Sequence, residues 1–157
     1  MRAISLLAAA ILVADQITKW WALHGLRFGE AVPVVPGLFS LTLVMNPGLA
    51  FGMLGGVPEG FRWMVGLLSI GAVVLLAVIA ARLLPTGGAW TRLSLGLIFG
   101  GAAGNLIDRL RFGAVVDYLD FYWGAYHWPA FNVADSAITV GVTILAFRML
   151  VDSPKAG

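Results

Sequence analysis

The chain has 157 residues, of which 60% are hydrophobic and only 11% are charged. That balance excludes an ordinary soluble domain, in which about a quarter of the residues are charged. The formal net charge of +2 is too small to indicate a nucleic-acid partner, and the lack of cysteine excludes disulfides and thiolate chemistry. The composition therefore predicts an integral membrane protein.

Four apolar segments are long enough to form membrane-spanning helices of about 20 residues each. The first also fits a signal peptide, but its pattern continues past residue 14 to Lys19 and the aromatic pair at 20–21, so we interpret it as a retained span. The prediction is a single integral membrane domain over 1–157, with four transmembrane helices. The spans cover approximately 3–23, 61–83, 92–111 and 131–150.

Two longer connections separate these spans. Residues 25–60 are rich in proline and glycine, and within them the alternating stretch LFSLTLVM at 38–45 predicts a short strand in a hairpin or small sheet. Residues 112–130 carry a concentration of aromatic rings that is typical of the headgroup region.

The orientation follows from lysine and arginine in the short connections. With both termini in the cytoplasm, the inner side carries five basic residues and the outer side four, and the short turn at 84–91 is a typical cytoplasmic connection. This orientation places the segments 25–60 and 112–130 outside. The inner residues are Arg2, Arg82, Arg92, Arg148 and Lys155, and the outer residues are Arg27, Arg62, Arg109 and Arg111.

The polar residues of the spans converge on one level of the membrane. A helical rise of about 1.5 Å per residue places Asp15 roughly 18 Å along the first span, with Lys19 one turn further. Asn105 and Arg109 arrive at the same outer level from the third span, and Asp135 lies about one turn inside the fourth. Charged residues within spans are costly, so their number favours a reaction site.

A structural interpretation remains open for each of these groups alone. Asp15 and Lys19 share a helix face and could neutralise each other while Lys19 extends toward the headgroups. Asp108 could form a local ion pair with Arg109. The three glycines at 96, 100 and 104 predict close helix packing. Asn132, three residues before Asp135, fits a helix N-cap.

Acid–base chemistry by two carboxylates is the functional alternative. Asp117 or Asp120 of the second connection, a loop, could fold over the start of the fourth span and face Asp135 as a movable partner. When two carboxylates share a site, repulsion raises the pKa of one, so that one activates water while the other stays protonated. This is the arrangement of an aspartic protease.

Five motifs resemble the lipoprotein signal peptidases, or signal peptidase II, and they occur in that family's order along the whole chain. They are DQITKW at 15–20, NPGLAF at 46–51, GGAAGNLIDR at 100–109, VVDYLDF at 115–121 and FNVADSAI at 131–138. The resemblance implies a bacterial inner-membrane aspartyl endopeptidase with its site near the outer face. Its expected substrate is a diacylglyceryl-modified prolipoprotein, cut just before the lipidated cysteine. It also implies a surface helix beside the β element of 25–60.

The resemblance also implies a role for each matching residue. It makes Asp117 and Asp135 the catalytic pair, and not Asp120, which we expect to face solvent or headgroups. The resemblance implies that Asn105 and Arg109 hold substrate backbone and that Asn132 orients the second aspartate. It also implies that Asp15 and Lys19 support the architecture, and that Asn46 and Gly48 belong to the extracytoplasmic motif.

Two other classes of protein compete with the protease. A small proton-coupled transporter would use Asp15 or Asp135 as a proton carrier, and a membrane scaffold would need no ionisable residue in its spans. The transporter would not need the elaborate segments 25–60 and 112–130, and the scaffold would leave the charged residues of the spans without a purpose. We expect a monomer in contact with membrane lipids, with no metal and no organic cofactor.

Overall fold

The computed structural model describes residues 2–48, 62–85 and 87–151, without the side chains of 62–65 and 83. Each of the four predicted spans corresponds to a helix, and the described residues also form one antiparallel sheet. The helices are α1 (Arg2–Gly25), α2 (Arg62–Leu83), α3 (Ala89–Phe112) and α4 (Val133–Val151). The strands are β1 (Ala31–Val35), β2 (Phe39–Asn46), β3 (Val115–Trp123) and β4 (Tyr126–His127).

Among the described residues, two helices are long and apolar enough to cross a membrane. These are α1 and α4, and within α2 a shorter apolar stretch covers Gly66–Arg82. Many large apolar side chains of these helices are exposed, including Leu6 on α1 and Leu75 on α2. Such exposure is unfavourable in water and suits contact with lipid chains.

The central helix α3 packs closely on α1 through its glycines. A side chain at Gly96 would collide with Leu7, and one at Gly100 would lie 2.7 Å from the carbonyl oxygen of Ala8. At Gly104 an added carbon would overlap the carboxylate of Asp15. The predicted role of these glycines in helix packing is confirmed, and the close approach brings Asp15 against α3.

The sheet lies in the order β1-β2-β3-β4, with every pair antiparallel. Glycines with positive φ occupy the turns, Gly37 between β1 and β2 and Gly124 between β3 and β4. The strand β3 follows α3 directly, because Gly113 ends that helix in the left-handed conformation. The sheet therefore covers the end of the bundle where α3 ends and α4 begins.

The structure confirms a mostly helical fold with a small β element, and the prediction is incomplete about the sheet. We placed the β element only between the first two helices and interpreted 112–130 as an aromatic connection, whereas β3 and β4 lie there and β3 pairs with β2. The aromatic and β-branched residues of β3 suit a strand as well as they suit the headgroup region. The surface helix expected in 25–60 is not found in 26–48, and residues 49–61 lie outside the described ones.

Candidate active site

Asp117 and Asp135 line one cavity of about 610 Å³. The cavity opens between α2, the end of α3, the start of α4 and the sheet, and its volume suits a small ligand or a peptide segment. One wall is apolar and comes from α2. Its residues include Leu68, Ala72, Val73 and Leu76.

Asp117 is held rigidly on β3. Its side chain is 1% exposed, and each carboxylate oxygen accepts an amide hydrogen bond. The Asn46 side chain donates to Oδ2 at 3.0 Å and the Asn132 side chain donates to Oδ1 at 2.7 Å. Our interpretation of this carboxylate as a movable partner on a loop is wrong, because Asp117 lies within a paired strand.

Asp135 lies in the first turn of α4, and Asn132 is its N-cap as predicted. Oδ1 of Asn132 accepts a hydrogen bond from the backbone N–H of Asp135 at 2.9 Å. The side-chain amide of Asn105 on α3 donates to Oδ1 of Asp135 at 2.7 Å. Because Asn132 also donates to Asp117, one amide side chain links the carboxylate of Asp117 to the backbone of Asp135.

Arg109 joins α3 to the end of β2. Its guanidinium donates to the carbonyl oxygen of Gly48 at 3.0 Å, and the N–H of Gly48 donates to the side chain of Asn46 at 3.0 Å. Nε of Arg109 is buried without a partner among the described residues. Arg109 also lines the cavity, so it has a spare donor beside the carboxylates.

A buried ion cluster lies behind the cavity. The ammonium group of Lys19 is 2.9 Å from Asp15 and 2.7 Å from Asp108, and it donates to the side-chain oxygen of Asn105 at 2.8 Å. Lys19 is only 2% exposed, so our suggestion that it extends toward the headgroups is wrong. The suggested pair of Asp108 with Arg109 is also wrong, because Asp108 faces Lys19.

The same ion cluster contacts the backbone beside both aspartates. Asp15 accepts a hydrogen bond from the N–H of Ala134 at 2.9 Å, and Asp108 accepts one from the N–H of Val116 at 3.1 Å. Gln16 also donates to Asp108 at 3.0 Å. We did not assign Asp108 or Gln16 to the site from the sequence, although both lie within its motifs.

Asp120 does not line the cavity, and its surroundings differ from our expectation. We expected it to face solvent or headgroups, but it is 6% exposed. Its carboxylate accepts a hydrogen bond from Ser40 at 3.1 Å and lies 3.0 Å from Nδ1 of His127. Asp120 is three residues after Asp117, and in a strand an odd separation points side chains to opposite faces.

The surroundings of Asp117 change its acidity. Burial, together with the nearby negative charge of Asp135, raises the pKa of Asp117 from 3.8 to about 7. The hydrogen bonds from Asn46 and Asn132 and the charge of Lys19 lower this pKa, without cancelling the effect of burial. Asp117 therefore holds a proton up to about neutral pH.

Replacement of Asp117 by asparagine is expected to raise stability at high pH. Unfolded Asp117 loses its proton near pH 3.8 and folded Asp117 near pH 7, so between these values the folded state binds more protons and its stability falls as pH rises. Asparagine does not titrate. We expect Asp117→Asn to melt above the wild type at pH 8, with the difference shrinking toward pH 4. A constant difference across this range would contradict the raised pKa.

The site is suited to acid–base chemistry. Two carboxylates share a cavity, one is protonated near neutral pH, and amide donors fix their positions. Among the described residues, no group of three or more histidine, aspartate or glutamate side chains is arranged to hold a metal ion. The two carboxylates of Asp117 and Asp135 can activate water and donate a proton to a carbonyl oxygen.

Comparison with known sequences gives a consistent result. A family profile described as signal peptidase (SPase) II matches residues 7–151. The chain is 46% identical to the lipoprotein signal peptidase of Geobacter metallireducens over 156 residues, which is 98% of this chain and 94% of that protein. It is also 46% identical to the lipoprotein signal peptidase of Desulforapulum autotrophicum, over 92% of this chain and 90% of that protein.

Two solved structures share the fold, and both are described as bacterial membrane enzymes crystallised in meso. The structure at 2.3 Å has a TM-score of 0.78 and 28% sequence identity, and the alignment covers 100% of this chain and 93% of the other. The structure at 1.9 Å has a TM-score of 0.79 at the same identity, over 98% and 96% of the two chains.

Proposed function

Since the chain belongs to the signal peptidase II family, we propose that it removes the signal peptide from diacylglyceryl-modified prolipoproteins. The cut falls just before the lipidated cysteine. The observation that carries this proposal is the pair Asp117 and Asp135, whose carboxylates line one cavity. The side chain of Asn132 bonds the carboxylate of Asp117 and the backbone N–H of Asp135. The family is one of aspartic proteases, and a carboxylate pair is the machinery that such a reaction requires.

The proposed reaction is direct attack by water. Near neutral pH the pair of Asp117 and Asp135 holds one proton, because the pKa of Asp117 is raised to about 7. The ionised carboxylate removes a proton from water, the water attacks the scissile carbonyl, and the neutral carboxyl donates to the developing oxyanion. The two groups titrate as a pair, so the proton belongs to both. No covalent intermediate forms.

The surrounding polar residues are proposed to bind substrate backbone and to orient the pair. Arg109 has a buried Nε with no partner among the described residues, and it lines the cavity. It is therefore suited to hold a substrate carbonyl. Asn105 and Asn132 fix the aspartates through their amides. Asn46, which donates to Asp117, and Gly48, which accepts from Arg109, hold the edge of the cavity at the end of β2.

The proposed setting is the inner membrane, with all four helices as spans, both termini in the cytoplasm and the cavity near the outer face. The basic residues Arg82 and Arg92 flank the short turn between α2 and α3, as the rule of positive inner loops requires. A substrate anchored by acyl chains stays in the outer leaflet, so the carboxylates must lie near that level, where water reaches them. We propose that the chain acts as a monomer in contact with lipid.

The topology can be tested with single cysteines, because the chain contains none. In intact cells, Ala125→Cys at the turn between β3 and β4 should react with an impermeant thiol reagent. Gly88→Cys at the start of α3 should react only after the membrane is opened, and it is a suitable control because no atom lies within 4 Å of its new carbon. Labelling of Gly88→Cys in intact cells would overturn the orientation.

Cleavage by the purified chain tests the function itself. The protein should convert a lipidated prolipoprotein to a shorter product that keeps its lipid, and it should leave the unlipidated precursor intact. The transporter alternative predicts no product and a proton flux in vesicles. Equal cleavage of the two precursors would contradict the proposed dependence on the lipid.

A further inference from the structure

An uncharged segment forms part of the cavity wall. Residues 128–131, which we call the strap, run from β4 to the start of α4 and line the same cavity as Asp117 and Asp135. The strap has the sequence WPAF. A peptide that reaches the two carboxylates must therefore fit against this wall.

The backbone of the strap is attached to β3 at both ends. At its start, the N–H of Trp128 donates to the carbonyl oxygen of Phe121 at 2.8 Å, and at its end Phe131 exchanges hydrogen bonds with Leu119 at 2.9 and 3.0 Å. Pro129, in the middle, has no N–H to donate. The start of the strap is held by β4, which is only two residues long.

A side-chain contact also holds the short strand β4 in place. Nδ1 of His127, the last residue of β4, lies 3.0 Å from both carboxylate oxygens of Asp120. The ring of His127 also stacks on Tyr122, with 5.1 Å between centroids. Tyr122 in turn accepts a hydrogen bond from the N–H of Gly37 at 3.1 Å. His127 thus contacts two side chains of β3, while its own side chain is 55% exposed.

Asp120 is a rigid anchor for this contact. It lies opposite Ser40 in the pairing of β2 with β3, and the Ser40 hydroxyl donates to Oδ2 at 3.1 Å. A buried carboxylate is costly unless hydrogen-bonded donors surround it. Ser40 and His127 supply such donors, and hydrogen bonds to a charged group are among the stronger ones. The contact between Asp120 and His127 therefore lies in the sheet, directly before the first residue of the strap.

We infer that Asp120 and His127 form a latch that positions the strap for substrate binding. The latch rests on the proposed function, since it concerns the cavity in which cleavage takes place. Neither residue lines the cavity or contacts Asp117 or Asp135. Both are positioning residues that act through the strap. Loss of the latch should therefore weaken substrate binding and leave the chemical step nearly intact.

The test compares steady-state cleavage of a lipidated prolipoprotein by the full-length wild type, Asp120→Ala, His127→Ala and the double variant. Each single variant should raise KM roughly 10-fold, the effect of losing a hydrogen bond to a charged group, with kcat within about twofold of the wild type. The double variant should match the single ones, because the two residues act as one pair.

Two further variants separate the latch from a general effect on the hairpin. His127→Asn places an amide donor close to the position of Nδ1 and should restore KM to within about threefold of the wild type. Tyr126→Ala is the matched control, because this neighbour on β4 is 86% exposed and keeps its backbone pairing with Trp123. It should leave KM unchanged. Melting temperatures of all variants show whether each is folded.

Specific outcomes would overturn the latch. A wild-type KM in His127→Ala, with or without a lower melting temperature, would mean that the pair only stabilises the hairpin. Additive effects in the double variant would mean that the two residues act separately. If the wild type itself does not cleave the substrate, the proposed function fails first, and this result is distinct from a cleaving enzyme whose latch variants keep their KM.

Discussion

Asp117→Asn and Asp135→Asn are each expected to lower kcat by about 10²- to 10⁴-fold, the range that a general acid or base contributes. Asparagine keeps the size of the side chain and can still accept a hydrogen bond, but it can neither take a proton from water nor hold the shared proton. At each position the asparagine oxygen can still accept one of the amide hydrogen bonds, so the replacement should keep the protein folded. Cleavage rates and melting temperatures of the purified variants provide the measurement.

Asp120→Asn is the matched comparison for this experiment. It lies on the same strand as Asp117 and is also buried, but it contacts Ser40 and His127 instead of the cavity. We expect it to retain most of kcat. An inactive Asp120→Asn beside an active Asp117→Asn would show that the carboxylate of β3 has been misassigned. Normal kcat in all three variants would refute the aspartic mechanism.

The helices could be predicted from the sequence because each depends on a local property. An apolar run of about 20 residues has one stable form in a bilayer, a helix that satisfies its own backbone. The predicted segment 92–111 and the observed α3, Ala89–Phe112, differ by only a few residues. The glycine stripe on α3 was visible for the same reason, since its spacing lies within one helix.

The strand β3 could not be predicted in the same way. Its partner β2 is separated from it by two helices in the sequence, and the pairing of Ser40 with Asp120 joins residues 80 positions apart. Its burial pattern also does not alternate, since four consecutive residues from Val115 are buried. Without alternation to indicate a strand, the aromatic residues toward its end suggested the headgroup region instead. The burial of Asp120 inside the sheet was missed for this reason.

The members of the candidate site were visible in the motifs, but their contacts were not. The spacing of Asp15 and Lys19 identified an ion pair, because residues four apart share a helix face. The second partner of Lys19, Asp108, lies on α3 and comes within 2.7 Å only because the glycines let the two helices approach closely. Such contacts between helices depend on packing that no local spacing encodes.

Lys19→Met is expected to destabilise the fold more than any single change at its partners. The Lys19 ammonium lies between two carboxylates, those of Asp15 and Asp108, and all three side chains are at most 2% exposed. Methionine fills a similar volume but leaves two buried negative charges side by side. Removal of one partner from a buried ion pair costs about 3–5 kcal/mol. For a chain of this size that corresponds to a drop in melting temperature of roughly 6 to 20 °C.

Changes at Asp15 separate charge from hydrogen bonding in this cluster. Asp15→Ala leaves Lys19 paired with Asp108, so the ammonium stays compensated, but the N–H of Ala134 loses its acceptor. Asp15→Asn keeps an oxygen for that N–H. We therefore expect melting temperatures to fall in the order wild type, Asp15→Asn, Asp15→Ala, Lys19→Met. Because Ala134 precedes Asp135, cleavage should fall together with stability in Asp15→Ala. A fully stable but inactive Asp15→Ala would show instead that Asp15 takes part in the chemistry.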